Sequence, residues 1–305
     1  MSFARLDKLG TPLRVGDASM PLPGPDDIVI QNRAIAINPL YYAQAGSGFM
    51  VKEPYLMVLG SDVAGEVYSI GANVSRFKIG DRVSGHFCVL ATWKPEDRAF
   101  GRYSRVRGRA ASKVPDYVAF NEAAVMPLAR GTAISGLHNI LEIDYPTIDA
   151  PLRSKVIVVY GASSSIGSMS VQLLMERHNH SLVKSCGASA IFDYRSDMLV
   201  HDVVTAVGKD QYLGVYDAIS NEETYSRDLA ILAALGGGRL AAGFMIGLGD
   251  FEFPVWEKYV TPALEKAKLK ALPEPLVVGR GLEYVQTALY RTKSGMSGQK
   301  VVVEL

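Results

Sequence analysis

Residues 155–174 read KVIVVYGASSSIGSMSVQLL and carry the strongest local signal in the chain. Val156–Tyr160 is a continuous apolar run, typical of a buried strand in a parallel sheet. A turn of small residues, Gly161–Gly167, leads into a predicted helix at Ser168–Glu176. Unpaired N–H groups and the dipole at the start of such a helix favour a phosphate. The stretch therefore predicts either a nucleotide phosphate site or an ordinary tight connection, because Ser163 replaces the second glycine of G-x-G-x-x-G.

Further strands and helices alternate after this turn. The patterns at Ala190–Tyr194, Val215–Ile219 and Arg239–Gly243 predict strands. A helix is predicted at Glu223–Ala234, with Ser220 or Asn221 as its N-cap. Alternating strands and helices indicate an α/β unit built on a parallel sheet.

One strand of this α/β unit is missing from the sequence pattern. A dinucleotide-binding unit needs a second strand after its first helix, followed by an acidic residue that contacts the ribose of NAD. Here the helix reaches Arg177 and continues directly into HNHSLVKSCGAS, which leaves too few residues for a parallel crossover. Either a segment is absent near residues 177–178 or the sheet lacks a strand. We favour an absent segment and expect a second gap near Phe244–Asp250.

Basic and polar residues stand where the acidic residue is expected. A 2′-phosphate prefers cationic and hydroxyl partners, so these residues predict NADP(H) rather than NAD(H). The alternative for each of them is a solvated surface position. The residues are Arg177, His178, Asn179, Lys184, Tyr194 and Arg195.

The N-terminal part has a different pattern. Ile28–Ala36 alternates after the turn residues PLPGPDD, and glycines separate the short apolar runs Val63–Ile70 and Arg82–His86. This is typical of an all-β, barrel-like unit. A helix is predicted at Asn121–Ile140. The remaining predictions are a helix at Leu282–Arg291 and a closing strand at Lys300–Leu305.

Composition narrows the class of protein. The 305 residues correspond to about two domains. Because 32 Lys and Arg offset 31 Asp and Glu, a nucleic-acid-binding module is not expected. We find no secretory signal and no membrane-spanning stretch. The two cysteines, Cys88 and Cys186, form no disulfide framework, which fits a reducing compartment and predicts a cytoplasmic protein.

Several motifs together resemble the medium-chain dehydrogenase/reductase superfamily. They are INPLYY, VLGSDVAGEV, GDRVSG, YGASSSIG and GMSGQKVVVEL. MPLPGPDDIVIQNRAIAINP, LATWKPEDRAF and IFDYRS look like the zinc-independent fungal trans-acting enoyl reductases that serve polyketide synthases. The resemblance covers nearly the whole chain.

The resemblance implies an α/β protein of two domains. Residues 1–128 with 282–305 would form a GroES-like β-barrel catalytic domain, and residues 129–281 a Rossmann domain with a doubly wound parallel sheet that binds NADP. The zinc-dependent branch has Cys where this chain has Asn38, and His-Glu where it has Ser61-Asp62. His86 lies near these motifs and is of a type that can bind zinc, but we expect it to be a packed or surface residue. No metal site is therefore expected.

The resemblance also assigns site residues. Cofactor contacts are expected at Asn38, Pro39, Leu40, Tyr41, Tyr42, Ser164, Ser165, Ile166, Gly167, Asn179, Lys184, Tyr194, Leu235, Gly236, Met296 and Ser297. Tyr41 or Tyr42 would donate a hydrogen bond or a proton, or both would only shape the pocket wall. Met126, Arg130, Thr132 and Ser135 would line the substrate, with a structural role as the alternative for Arg130.

Three functions follow from these expectations. The first is an NADPH-dependent trans-acting enoyl reductase that reduces the α,β C=C of a polyketide thioester presented by an acyl carrier protein or synthase. The second is a free-standing quinone or enone oxidoreductase. The third is a non-catalytic, nucleotide-binding member of the fold. A monomer or a homodimer fits each function, with neither nucleic acid nor membrane as a partner.

Overall fold

The computed structural model describes residues 1–51, 57–87, 92, 94–148, 155–174, 188–243, 253–296 and 298–305. The strands are β1 (Ser2–Leu6), β2 (Arg14–Asp17), β3 (Asp27–Ala36), β4 (Met57–Val58), β5 (Asp62–Ile70), β6 (Arg82–His86), β7 (Tyr103–Arg107), β8 (Ala111–Lys113), β9 (Lys155–Tyr160), β10 (Gln211–Asp217), β11 (Arg239–Ala242), β12 (Glu274–Arg280) and β13 (Gln299–Glu304). The helices are α1 (Pro39–Ser47), α2 (Phe120–Ala124), α3 (Pro127–Ile134), α4 (Ser165–Leu174), α5 (Leu199–Val207), α6 (Glu222–Ala234), α7 (Phe253–Val255), α8 (Thr261–Glu265) and α9 (Val285–Lys293).

A seven-stranded sheet forms the centre of the first unit. Its order is β12-β13-β3-β5-β6-β8, and β7 also pairs with β3. Strands β3 and β5 approach closely, since a Cβ on Gly65 would lie 2.1 Å from the carbonyl oxygen of Gln31. A smaller antiparallel sheet, β2-β1-β4, lies beside it. The predicted strands Ile28–Ala36, Val63–Ile70 and Arg82–His86 are confirmed as β3, β5 and β6.

The closing strand returns to this first unit, as the resemblance implies. Strand β13 pairs antiparallel with β3, from Val302 opposite Ala36 to Glu304 opposite Ala34. Strand β12 pairs parallel with β13, so residues 274–280 also belong to the seven-stranded sheet. The predicted boundary at residues 281 and 282 is therefore wrong, because it places β12 in the nucleotide-binding unit.

The second unit has a parallel sheet, as predicted. Its order is β11-β10-β9, with Tyr160 opposite Asp217 and Asp217 opposite Ala242. Helix α6 begins after Asn221, whose Oδ1 accepts the N–H of Thr224 at 2.9 Å, which confirms one of the two predicted caps.

Two sequence predictions differ from the structure. Residues 190–194 form no strand. In the described part of the chain β9 pairs with β10 alone, so residues 190–194 do not extend the parallel sheet. The helix predicted at Asn121–Ile140 is broken into α2, α3 and a π turn, with Pro127 starting α3. A proline at the first turn of a helix fits because its missing N–H is not needed there.

The burial of β9 differs from that of an ordinary strand inside a parallel sheet. Strands in such sheets are usually buried on both faces. Here residues 156–159 are only half-buried, and Ile191, Phe192 and Tyr194 are exposed by 37–49 %. The two predicted gaps, near residues 177–178 and 244–250, lie outside the described residues.

One apolar core joins the two units. It includes Ala34 and Val302 from the seven-stranded sheet together with Tyr216 and Ala241 from the parallel sheet. Helix α3 lies between the two sheets and packs against α4. The turn at Gly161–Gly167 and the first unit therefore belong to one packed structure.

A buried pair of acids lies under the parallel sheet. Asp217, at the end of β10, accepts the N–H of Ile219 at 2.8 Å and the hydroxyl of Thr224 at 2.6 Å. Asp228 on α6 is fully buried beside it, and neither of its oxygens has a donor among the described residues. Burial and the adjacent Asp217 raise the pKa of Asp228 to about 8. The folded protein therefore keeps a proton on Asp228, which it donates toward Asp217.

We predict that Asp228→Asn stabilises the protein increasingly as the pH rises from about 4 to 8. In this window the unfolded chain ionises Asp228 while the folded protein keeps the proton, so the wild-type free energy of unfolding falls with pH. The asparagine amide donates to Asp217 without titrating. We expect a gain of about 1–3 kcal/mol at pH 8 and little gain near pH 4, measured by urea unfolding. Asp202→Asn, on the exposed face of α5, is the control, and parallel wild-type and Asp228→Asn profiles would contradict the prediction.

Candidate functional site

The turn after β9 has the geometry of a phosphate-binding loop. Gly161 has a φ of +70°, which favours glycine. A Cβ on Gly167 would lie 2.2 Å from the carbonyl oxygen of Gly161, so the helix can approach the turn only with glycine at this position. Ser164 caps α4, because its Oγ accepts the N–H of Gly167 at 3.0 Å. The capping side chain and the glycines hold the start of the helix against the end of the strand.

Free donors remain at the start of α4. The backbone N–H groups of Ser165 and Ile166 have no acceptor within the described ranges. The Oγ of Ser165 is buried and also lacks a partner there. Buried polar groups are normally hydrogen-bonded, so this group of donors suits an anion such as the diphosphate of a dinucleotide.

Two further residues, which the sequence analysis did not assign to the site, lie at this edge of the sheet. Ile219 and Ser220 follow the carboxyl end of β10, on the same edge of the sheet as Gly161. A Cβ on Gly161 would lie 2.5 Å from the side chain of Ile219, and Ser220 has a φ of +60°. Ligands of open α/β sheets bind outside the carboxyl ends of the strands, which is the signal that identifies both residues.

The assignment of Leu235 and Gly236 to the cofactor is wrong. Both precede β11, whereas the phosphate turn follows β9. Because β9, β10 and β11 are parallel, these residues lie at the amino ends of the strands, on the opposite edge of the sheet. A strand of six residues separates the two edges by about 20 Å.

The predicted 2′-phosphate side is described in part. Tyr194 is 49 % exposed and its ring meets Tyr160, the last residue of β9, edge to face at 6.3 Å. The guanidinium of Arg195 lies 5.2 Å from the ring of Tyr194. The structure thus brings a tyrosine hydroxyl and a cation to the turn. Asn179, Lys184, Arg177 and His178 lie outside the described residues.

The two candidate tyrosines of α1 have different surroundings. Tyr41 is fully buried, and its hydroxyl oxygen accepts the side-chain amide of Asn38 at 2.8 Å and the N–H of Ser61 at 2.7 Å. Burial, with Asp62 nearby, raises the pKa of Tyr41 above its usual range. Tyr42 is 37 % exposed. Of the two hydroxyls, that of Tyr42 is on the accessible side, next to exposed Pro39 and half-buried Leu40.

A carboxylate joins this segment to the predicted substrate side. Asp62 is fully buried, and its Oδ1 accepts the N–H of Leu128 in α3 at 2.6 Å. Its Oδ2 accepts the side-chain amide of Asn38 at 2.8 Å and the ammonium of Lys300 at 2.7 Å. We call Asn38, Tyr41, Asp62 and Lys300 the Asp62 network. Sequence reasoning missed Lys300, although a lysine inside the apolar closing strand KVVVEL was the available signal.

The predicted substrate residues lie mainly in the core. Met126, Arg130, Thr132 and Ser135 are all buried. The guanidinium of Arg130 stacks 3.5 Å from the ring of Trp256, which favours the structural alternative for this residue. His86 also stacks on Trp256, with ring centroids 6.1 Å apart, as expected of a packed histidine.

The remaining predicted cofactor contacts are Met296 and Ser297. Met296 is half-buried and packs against the apolar core inside the first unit, and Ser297 lies outside the described residues. Across the described ranges no group of three or more His, Cys, Asp and Glu side chains is arranged to bind a metal ion. Cys88 and Cys186 lie outside these ranges. No helix in the described part of the chain has the length and apolar character that crossing a bilayer requires.

Known proteins with related sequences are fungal dehydrogenases and reductases. The alcohol dehydrogenase GroES-like domain family matches residues 24–130. The chain is 39 % identical to the dehydrogenase orsE of Emericella nidulans, over 99 % of this chain and 98 % of that protein. It is 32 % identical to the trans-enoyl reductase himH of Aspergillus japonicus, over 96 % of this chain and 94 % of that protein.

The first of these alignments is longer than the chain. It extends over 343 positions, whereas the chain has 305 residues. The Emericella protein therefore has residues that stand opposite gaps in this chain. Such gaps are expected both for an absent segment and for a sheet with one strand fewer.

Solved structures share the fold over nearly the whole chain. The quinone oxidoreductase of Pseudomonas syringae superposes with a TM-score of 0.70 at 19 % identity, covering 100 % of this chain and 99 % of that one. The CurK enoyl reductase gives a TM-score of 0.67 at 19 % identity, covering 99 % and 98 %. With the sequence relatives, these similarities show that the chain belongs to the medium-chain dehydrogenase/reductase family, close to the fungal trans-enoyl reductases.

Proposed function

We propose that this protein is an NADPH-dependent, trans-acting enoyl reductase of the cytoplasm. It would reduce the α,β C=C of a polyketide thioester that an acyl carrier protein or a synthase presents, as a monomer or a homodimer. The observation that carries the proposal is the phosphate turn with its free donors, Ser165 and Ile166, in a chain related to named trans-enoyl reductases.

The residues present fit the cofactor on its diphosphate side. The N–H groups of Ser165 and Ile166 would bind the diphosphate, and Gly167 lets the backbone approach it. Tyr194 and Arg195, with Asn179 and Lys184, would bind the 2′-phosphate. When bound, NADPH supplies the hydride for the β-carbon of the unsaturated thioester.

The protein's own groups would complete the reaction. Negative charge develops on the thioester oxygen as the hydride is accepted, and a hydrogen-bond donor near that oxygen lowers the barrier. We assign this donor to the hydroxyl of Tyr42, the exposed tyrosine of α1, which can also pass its proton toward the α-carbon. Tyr41 would hold the segment in place from the core.

Cofactor preference tests the 2′-phosphate side. We predict that the wild-type protein binds NADPH more tightly than NADH, measured by nicotinamide fluorescence. Lys184→Ala combined with Tyr194→Phe removes charge-assisted hydrogen bonds and weakens NADPH at least about tenfold, with little change for NADH. The matched control is Lys293→Ala with Tyr290→Phe, an exposed pair on α9. Equal affinity for the two nucleotides, or an equal loss for both in the variant, would overturn the assignment.

Turnover tests the reaction itself. We predict NADPH-dependent saturation of the C=C of enoyl thioesters, with higher kcat/KM for the carrier-bound than for the free thioester. Tyr42→Phe should lower kcat by about 10²-fold with an unchanged dissociation constant for NADPH. Tyr284→Phe, an exposed tyrosine before α9, is the control.

Other outcomes of the same assay identify the other functions. Rapid reduction of small quinones or enones without turnover of thioesters would replace the proposal by the free-standing oxidoreductase. Binding of NADPH without turnover of any of these substrates would indicate the non-catalytic, nucleotide-binding member of the fold. Stoichiometric zinc in the purified protein would contradict the metal-free reaction.

A further inference from the structure

We propose that Asp62 and Lys300 are positioning residues that hold the two walls of the active site in a fixed relation. One wall is the Asn38–Tyr42 segment and the other is the start of helix α3. This inference rests on the proposed function, which makes these two segments the walls of an active site. The hydrogen bonds that link the segments do not depend on that function.

The carboxylate of Asp62 connects elements that are distant in sequence. Through Oδ1 it receives the N–H of Leu128, at the start of α3. Through Oδ2 it receives the amide of Asn38, the residue before α1. Asp62 thus accepts hydrogen bonds from both of these segments. The carboxylate of Asp62 therefore joins the start of α1 to the start of α3.

Asn38 passes this constraint to the tyrosines. Its amide donates to Asp62 and to the hydroxyl of Tyr41, which also receives the N–H of Ser61. The side chain of Tyr41 is thus fixed in the core, where its ring also meets Phe100 edge to face at 5.2 Å. Because Tyr42 is the next residue of the same helix, the direction of its side chain is fixed with it.

Lys300 compensates the buried negative charge of Asp62. Its side chain is 4 % exposed, and its ammonium donates to Asp62 at 2.7 Å and to the carbonyl oxygen of Val125 at 2.9 Å. A buried charge without a partner is strongly unfavourable. The last strand of the chain thereby contributes to a site formed by residues 38–62 and 125–128.

An amide cannot replace the carboxylate in this network. Three donors converge on Asp62, from Leu128, Asn38 and Lys300. An asparagine has one acceptor oxygen and would turn its own NH2 group toward one of these donors. Removing the charge of Lys300 as well relieves the unpaired charge, but Leu128 and Asn38 donate to different oxygens, so the NH2 group of the asparagine still faces one of these donors.

A comparison of the single and the double variant separates a positioning role from a contribution to stability. Lys300→Met leaves an unpaired carboxylate and should lower both stability and kcat. In the double variant Asp62→Asn/Lys300→Met we expect stability in urea to recover toward the wild type. The value of kcat should stay at least about tenfold low, with the dissociation constant for NADPH unchanged, because the phosphate turn is a separate element. Lys113→Met, which breaks the exposed 2.8 Å pair with Asp81 in the same sheet, is the matched control.

Hydrogen exchange of the protein without nucleotide gives a readout independent of activity. We expect the amides of Leu128 and Ser61 to exchange at least about tenfold faster in the double variant, with unchanged exchange in the core of the parallel sheet. Recovery of kcat together with stability, or unchanged exchange at both amides, would overturn the inference. If the wild type turns over no enoyl thioester, the proposed function fails, and the exchange of these two amides still decides whether Asp62 links the segments.

Discussion

The ion pair between Asp62 and Lys300 is the constraint on which the rest of the first unit depends. Both side chains are buried, and breaking such a pair costs about 3–5 kcal/mol because one charge remains without compensation. Replacing the pair by apolar side chains is often neutral for stability, so stability alone does not explain it. What an apolar pair cannot supply is the set of directed acceptors that join Asn38 and Leu128. The role that we propose for the pair is therefore to fix the positions of Asn38 and Leu128 relative to each other.

The fold could be predicted where it depends on local pattern. Strands β3, β5, β6 and β9 and helix α6 lie close to their predicted positions, because alternation, apolar runs and capping residues are visible within a short stretch. Strand β12 was missed and the boundary misplaced, because pairing with β13 is a long-range event. Residues 190–194 have the composition of a strand, but composition does not decide pairing, and no described strand pairs with them.

The site was predictable to the same extent. The phosphate turn depends on residues 160–167 alone, and small residues between a strand and a helix identify it from sequence. The difference between Tyr41 and Tyr42 depends on Asn38, Ser61 and Asp62, which the fold brings together from separate elements. The error at Leu235 and Gly236 has another cause: adjacency to a strand was recognised, but the end of the strand decides which edge of the sheet a residue occupies.

Affinity and specificity for the nucleotide depend on different parts of this structure. The proposed diphosphate site is a contiguous turn whose geometry is set by Gly161, Ser164 and Gly167, so it does not depend on what lies beside β9. In the proposed function, recognition of the ribose depends on groups on the side of β9 away from β10, where Tyr194 and Arg195 are the described ones. The Emericella relative has residues that this chain lacks, and a second strand after α4 is the element absent from the sequence pattern. If the gap lies there, changes in that segment alter the choice between NADPH and NADH while the diphosphate contacts remain.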